Sequence, residues 1–189
     1  MGRLEGQKEP VTSAANVDPK AIGMIFCPAA SNLCITGWVG NTPMAMSNAN
    51  YFSEHLKCFP GRIDVVAEEF ANDPGTLKFA HLQKDISEFE LSTVLDILEI
   101  EGIDVNNVAH RSGLMVLEEY SGKGYAKRMI MESDRYLRSQ DIEAVVVSPS
   151  WEGSRNIFLS QGYKIIGKFQ LKDYGINLDD YNSYMIKIF

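Results

Sequence analysis

Basic charge, cysteine and long apolar runs are all in short supply, and each shortage excludes a class of function. Lysine and arginine number 18 against 25 aspartates and glutamates, a net charge of −7. A nucleic-acid binder needs a basic face that this balance does not offer. An acidic surface suits a cationic or amine partner, although acidity for solubility alone is common. The three cysteines, Cys27, Cys34 and Cys58, contain no C-x-x-C pair and no even-numbered framework. That count suits a reducing compartment, with the cytoplasm as the default, and gives no reason to expect a zinc site or any other metal. The longest apolar stretch, residues 21–30, is broken by Pro28 and is too short to cross a bilayer. Residues 1–20 are polar and rich in turn formers, unlike a signal peptide. Neither a nucleic acid nor a membrane is therefore expected as a partner.

The 189 residues suffice for one domain with a substantial core. Residues 1–20 are expected to be a flexible tail and residues 21–189 a single domain. In the first half, residues 22–27 and 33–39 read as short strands, with residues 28–32 as a hairpin loop. Residues 46–58 and 63–71 read as helices, ended by Pro60-Gly61 and by Asp73-Pro74-Gly75. Residues 85–101 carry Phe89, Leu91, Val94, Leu95, Ile97 and Leu98 at helical spacing. The second half reads as strand 111–119, helix 123–138, strand 142–148, helix 152–161, strand 163–171 and strand 184–189. The helix 123–138 places Ala126, Met129, Ile130 and Leu137 on one face. Such alternation predicts an α/β (α+β) fold with helices packed on a mixed central sheet.

The segment Ser121-Gly122-Lys123-Gly124-Tyr125-Ala126 stands between a strand and a helix. Strand, glycine loop and helix start together present backbone N–H groups and a partial positive charge to a phosphate. The dinucleotide fingerprint G-x-G-x-x-G would need glycine at 127, which is Lys127, and the P-loop pattern is absent. A plain turn with a glycine cap is the bland alternative.

A third pattern is the pyrophosphate loop of the GNAT acetyltransferases, Gln/Arg-x-x-Gly-x-Gly/Ala. Gly124 and Ala126 match it, with Ser121 at the amide or basic position. Val145-Val146-Val147, Ser154, Phe158 and Gly162-Tyr163 follow at the spacing that superfamily uses. Residues 110–189 thus resemble the GNAT N-acetyltransferases. Residues 145–174 resemble the insect-type arylalkylamine N-acetyltransferases, which carry two serines four residues apart, where Ser150 and Ser154 stand.

The resemblance implies a GNAT-like mixed sheet and acetyl-CoA as co-substrate. It implies that backbone N–H groups of Ser121, Gly122, Lys123, Gly124, Tyr125 and Ala126 hold the pyrophosphate. Leu114, Met115 and Val116 would pair with the pantetheine arm, and Phe158 would border the cofactor. The acceptor it implies is a small primary amine. An alkylammonium has a pKa of about 10, so a base or a water relay is needed at neutral pH. His110, Glu118 and Glu119 are the candidates for the base, each also readable as a surface group. Ser150 and Ser154 would assist substrate binding or proton relay, or else cap the helix. Three positions depart from the superfamily pattern, one of them Trp151, where an asparagine is common. Phe158 occupies the place of a tyrosine that protonates the leaving thiolate, and Ser121 that of an arginine or glutamine. These departures keep open a non-catalytic acyl-CoA-binding regulatory domain. A protein lysine or N-terminal amine is the second choice of acceptor. Residues 184–189 could complete the sheet within one subunit or pair with a neighbour in a homodimer.

Overall fold

The computed structural model describes residues 2–3, 33–39, 42–57, 74–149, 151–176 and 179–189. The expected strand 22–27, hairpin loop 28–32 and helix 63–71 lie outside the described residues, as does Ser150. Among the described residues, one seven-stranded sheet runs in the order β1-β2-β3-β4-β5-β7-β6. The strands are β1 (Gly2–Arg3), β2 (Leu33–Val39), β3 (Thr42–Tyr51), β4 (Val108–Val116), β5 (Ala144–Val147), β6 (Lys164–Gln170) and β7 (Tyr181–Ile188). Among them β1·β2 and β4·β5 are parallel, and the other pairs are antiparallel.

Helices cover both faces. After β3 comes a short helix, α1 (residues 52–57). Next, α2 (Pro74–Phe89) runs through a π-helical turn (Glu90–Val94) into α3 (Leu95–Glu101). With α1 they pack Phe52, Leu82, Ile86, Val94 and Leu98 against Val108, Val146, Tyr184 and Ile186. On the opposite face lie α4 (Tyr125–Arg138) and α5 (Glu152–Ser160). There Ile130, Leu137 and Phe158 meet Ala109, Val145, Val147 and Met185. Central strand β5 is buried at all four positions, and this two-sided cover is why its sequence is continuously apolar.

Two expectations are corrected. The helix expected over residues 46–58 is instead β3, with helix only at residues 52–57. Residues 42–51 are hydrogen-bonded to β2 on one side and β4 on the other. Ser47, Ala49 and Asn50 are all buried, and serine and asparagine gain little from a helix interior. Asp73-Pro74-Gly75, read as a terminator, opens α2: Pro74 is its first residue, where the missing N–H costs nothing. Strand β7 lies between β5 and β6 of the same chain, so both its edges are already occupied.

Candidate active site

Where β4 and β5 part company, the sheet opens. They pair only from Val108↔Ala144 to Arg111↔Val147. Beyond Arg111, β4 continues to Val116 paired with β3, while the chain leaving β5 turns through Ser148 and Pro149. A register shift opposite Asn48 and Ala49 leaves Ser112 as an extra residue, a bulge that bends β4 at the fork. Among the described residues, the stretch 112–116 has a strand on one side only, so alternate backbone groups face the opening. A cleft of about 240 Å³ lies there. Its walls are Arg111, Ser112, Gly113 and Leu114 of β4, Val147, Ser148 and Pro149, and Ser154 and Phe158 of α5.

Side-chain ties hold the far wall. Ser148 Oγ donates to Asn182 Oδ1 at 2.9 Å. Arg155 of α5 donates to the Tyr181 carbonyl at 2.8 Å and to Asp180 at 2.9 Å. The Tyr181 N–H, and then the Arg155 contact, hold the Asp180 carboxyl below its usual range.

The open edge of β4 leads through a 3₁₀ turn (Glu118–Tyr120) into the glycine loop. Ser121, Gly122, Lys123 and Gly124 are all exposed. Gly122 and Gly124 have φ of +73° and +79°, a conformation that disfavours side chains, and nothing lies within 4 Å of either position's would-be Cβ. Gly124 is the N-cap of α4 and supplies no side-chain cap. The first bond into the helix runs from Arg128 N to the Gly124 carbonyl, leaving the N–H groups of Ala126 and Lys127 without an intrahelical acceptor. No acidic residue occupies the first turn, and Lys127 and Arg128 are exposed there. An anion is favoured at such a helix start. Lys123 lies over the Tyr120 ring, 5.4 Å from its centroid.

The structure brings Leu114, Met115, Val116 and the loop onto one track that runs from the fork to α4. Leu114 lines the cleft, and all three strand residues are half-buried. Ser154 also lines it and donates to the Trp151 carbonyl at 2.9 Å, a turn bond at the start of α5. Phe158 is buried edge-on against Tyr163, with ring centroids 5.0 Å apart. Glu118 and Glu119 are exposed on the 3₁₀ turn, away from the fork.

His110 points to the opposite face from Arg111, towards α1–α3. It stacks on His55 with centroids 3.6 Å apart and an interplanar angle of 13°. His55 Nε2 lies 3.1 Å and 3.2 Å from the two carboxylate oxygens of Glu90, and His110 Nε2 lies 3.9 Å from Oε1. The Tyr184 hydroxyl donates to the same Oε1 at 2.6 Å. Burial is nearly complete, with exposures of 5% for His55, 1% for Glu90 and 8% for His110. Burial pushes the Glu90 carboxyl above the usual range, outweighing His110 and the Tyr184 hydrogen bond. Burial, and then His55, push His110 down to about 3 against the pull of Glu90. The imidazole of His110 is thus neutral at neutral pH.

Behind the other face, Arg111 is the hub of a second buried group. Its guanidinium donates to Ser47 and Ser133, to Asp134 Oδ1 at 2.6 Å and to the Tyr163 hydroxyl at 3.2 Å. Asp134 also accepts from Tyr163 at 2.8 Å and from Lys187 at 2.8 Å. This group ties β4 to β3, α4, β7 and the residue before β6 beside the fork.

Sequence reasoning missed His55, Glu90 and Tyr184 in one group, and Arg111, Asp134 and Tyr163 in the other. Glu90 carried a signal: it is a carboxylate inside an apolar helical stripe, next to Phe89. The other members are brought together only by the fold.

No protein-family model and no curated protein sequence matches the chain. Solved structures do match in fold. Arylalkylamine N-acetyltransferase 2 from Aedes aegypti superposes with a TM-score of 0.65 at 15% identity, over 82% of this chain and 73% of that one. Drosophila melanogaster polyamine N-acetyltransferase gives 0.58 at 17% identity, over 83% and 75%. A GCN5-related N-acetyltransferase from Kribbella flavida gives 0.50 at 11% identity, over 96% and 83%. With its forked β4 and β5, its glycine loop and these superpositions, the chain has the mixed-sheet fold of the GNAT acetyltransferases.

Proposed function

We propose that this protein transfers the acetyl group of acetyl-CoA to a small primary amine. The observation that carries the reading is the single track from the β4/β5 fork to the uncapped start of α4. One end can pair an extended, amide-bearing chain along the free edge of β4, and the other can hold a diphosphate. The cofactor would lie along Leu114, Met115 and Val116. Its pyrophosphate would meet the backbone N–H groups of residues 121–126, and Phe158 would border the thioester end. The amine's class rests on analogy with the arylalkylamine and polyamine enzymes of like fold.

Acetyl transfer needs a neutral amine, a stabilised carbonyl oxygen and a leaving thiolate. His110 is the proposed proton acceptor. The burial that holds its ring neutral also makes it a weak base, so the role rests on Glu90, 3.9 Å away, offsetting the charge it gains. The amine's proton would reach it through water, since the ring faces away from the cleft wall that Arg111 forms. Ser154, with Ser150 as its partner, would orient the amine at the cleft. Phe158 carries no proton, so the thiolate would leave unassisted or protonated by water. The free edge of β4 supplies backbone N–H groups that can polarise the thioester carbonyl.

The test is to titrate acetyl-CoA and then measure CoA release with a panel of arylalkylamines, polyamines and peptide amines. Turnover on small amines supports the proposal. Binding without turnover on any amine would favour a regulatory acyl-CoA-binding domain, for which Ser121 and Phe158 speak. Failure to bind acetyl-CoA would remove both readings.

A further inference from the structure

We propose that His55, Glu90 and His110 form a binding site for one borderline divalent cation of the Zn²⁺ class. One donor atom from each lies within 4.8 Å of the other two, and all three side chains are buried. Two donors bound at ~2.0–2.1 Å to a tetrahedral ion stand about 3.3 Å apart. The separations to a single carboxylate oxygen, Glu90 Oε1, bracket that value, 3.2 Å from His55 Nε2 and 3.9 Å from His110 Nε2. Both imidazoles present Nε2 to one carboxylate, with the rings stacked and their planes only 13° apart. Binding requires the stacked rings to splay so that their lone pairs meet at one point.

Two nitrogens and a carboxylate are the donor set of zinc sites that keep a fourth position for water. Imidazole donors favour Zn²⁺, Cu²⁺ or Ni²⁺ over Mg²⁺ and Ca²⁺. The surroundings also suit an ion. The Tyr184 hydroxyl donates to the same Glu90 Oε1 at 2.6 Å and holds the carboxylate in place, as outer partners of metal ligands do. Glu90 opens the π-helical turn between α2 and α3, a distortion that concentrates at functional sites. His110 Nδ1 is buried without a hydrogen-bond partner among the described residues, so with an ion on Nε2 this ring would lack the outer partner that metal-ligating imidazoles usually have. The donors come from α1, the π turn and β4, so one ion would pin the helical layer to the sheet. If His110 takes the amine proton as proposed above, an ion on its Nε2 would block that step. The binding test does not depend on acetyl transfer.

The experiment titrates Co²⁺ and then Zn²⁺ into the chelator-treated full chain. The readouts are visible d–d absorption, calorimetric stoichiometry and unfolding temperature. One Co²⁺ per chain, displaced by Zn²⁺, with a raised unfolding temperature, is expected. Glu90→Gln and His110→Ala should each weaken binding by more than the roughly 10–100-fold that loss of an outer partner costs. His81→Ala, at an exposed position on α2, should bind as the parent does. Circular dichroism establishes that each variant is folded. Glu90→Gln keeps the side-chain volume, so it serves where His110→Ala does not fold. No stoichiometric binding by the folded parent would overturn the proposal. So would binding that survives Glu90→Gln and His110→Ala, or that disappears with His81→Ala.

Discussion

Substituting Gly124 separates the fold of the glycine loop from its charge. The residue sits at φ +79° with nothing within 4 Å of a would-be Cβ, so any side chain fits but meets backbone strain. Holding a non-glycine residue in that conformation costs roughly 1–2 kcal/mol. Alanine, glutamine and glutamate share that cost, and only glutamate adds charge. A carboxylate about 5 Å from one phosphate charge is repelled by about 3 kcal/mol at an effective dielectric of about 20, and by about half that facing solvent. Each 1.4 kcal/mol is tenfold in affinity. Gly124→Glu should therefore weaken acetyl-CoA binding by roughly tenfold to a few hundredfold relative to Gly124→Gln. Their unfolding midpoints should match closely, with glutamate slightly ahead because an acid at a helix start is favourable. Calorimetric titration and thermal unfolding of the three variants provide the readings. Equal cofactor affinity for the glutamine and glutamate variants would remove α4's start from the binding site.

Four further outcomes test the fold and the site. Gly167→Ala would bring a Cβ to 2.8–3.2 Å from the Phe89 ring, so denaturant unfolding should record a loss of about 1–3 kcal/mol. Asp134→Asn leaves Arg111 and Lys187 without their shared anion and should cost about 3–5 kcal/mol in the same assay. His110→Ala should lower kcat by about a hundredfold or more in a CoA-release assay if the ring accepts the amine's proton, with acetyl-CoA affinity unchanged. Ser154→Ala removes only the turn bond to Trp151, so stability should fall by about 1 kcal/mol at most. A larger rise in the amine KM would mark Ser154 as an orienting group.

The C-terminal half was legible because its signals are local. Val145-Val146-Val147 is apolar because β5 is covered on both faces, and Gly122 and Gly124 mark φ values that other residues avoid. Loop, helix and strand follow one another within 30 residues, so spacing alone could be read. The first half offered no such help. Residues 46–51 look helical in isolation, and only the ladders to β2 and β4 make them a strand. Pro74 was legible as punctuation but ambiguous in sense, since proline ends one helix and begins another.

The polar groups at the fork were hidden for a different reason. His55, Glu90 and His110 are 35 and 20 residues apart, and their meeting depends on a sheet register and a π turn that no periodicity announces. Burial of two imidazoles around one carboxylate costs solvation at each group, and a core of apolar residues would fill the same space more cheaply. Phe52, Val108 and Val146 show that the surrounding layer can be apolar. Retaining ionisable groups there, at the last paired residues before β4 and β5 diverge, ties their cost to the fork. His110 stands one residue before Arg111, which lines the cleft, so the group sits beside the cleft wall but on the opposite face of the sheet.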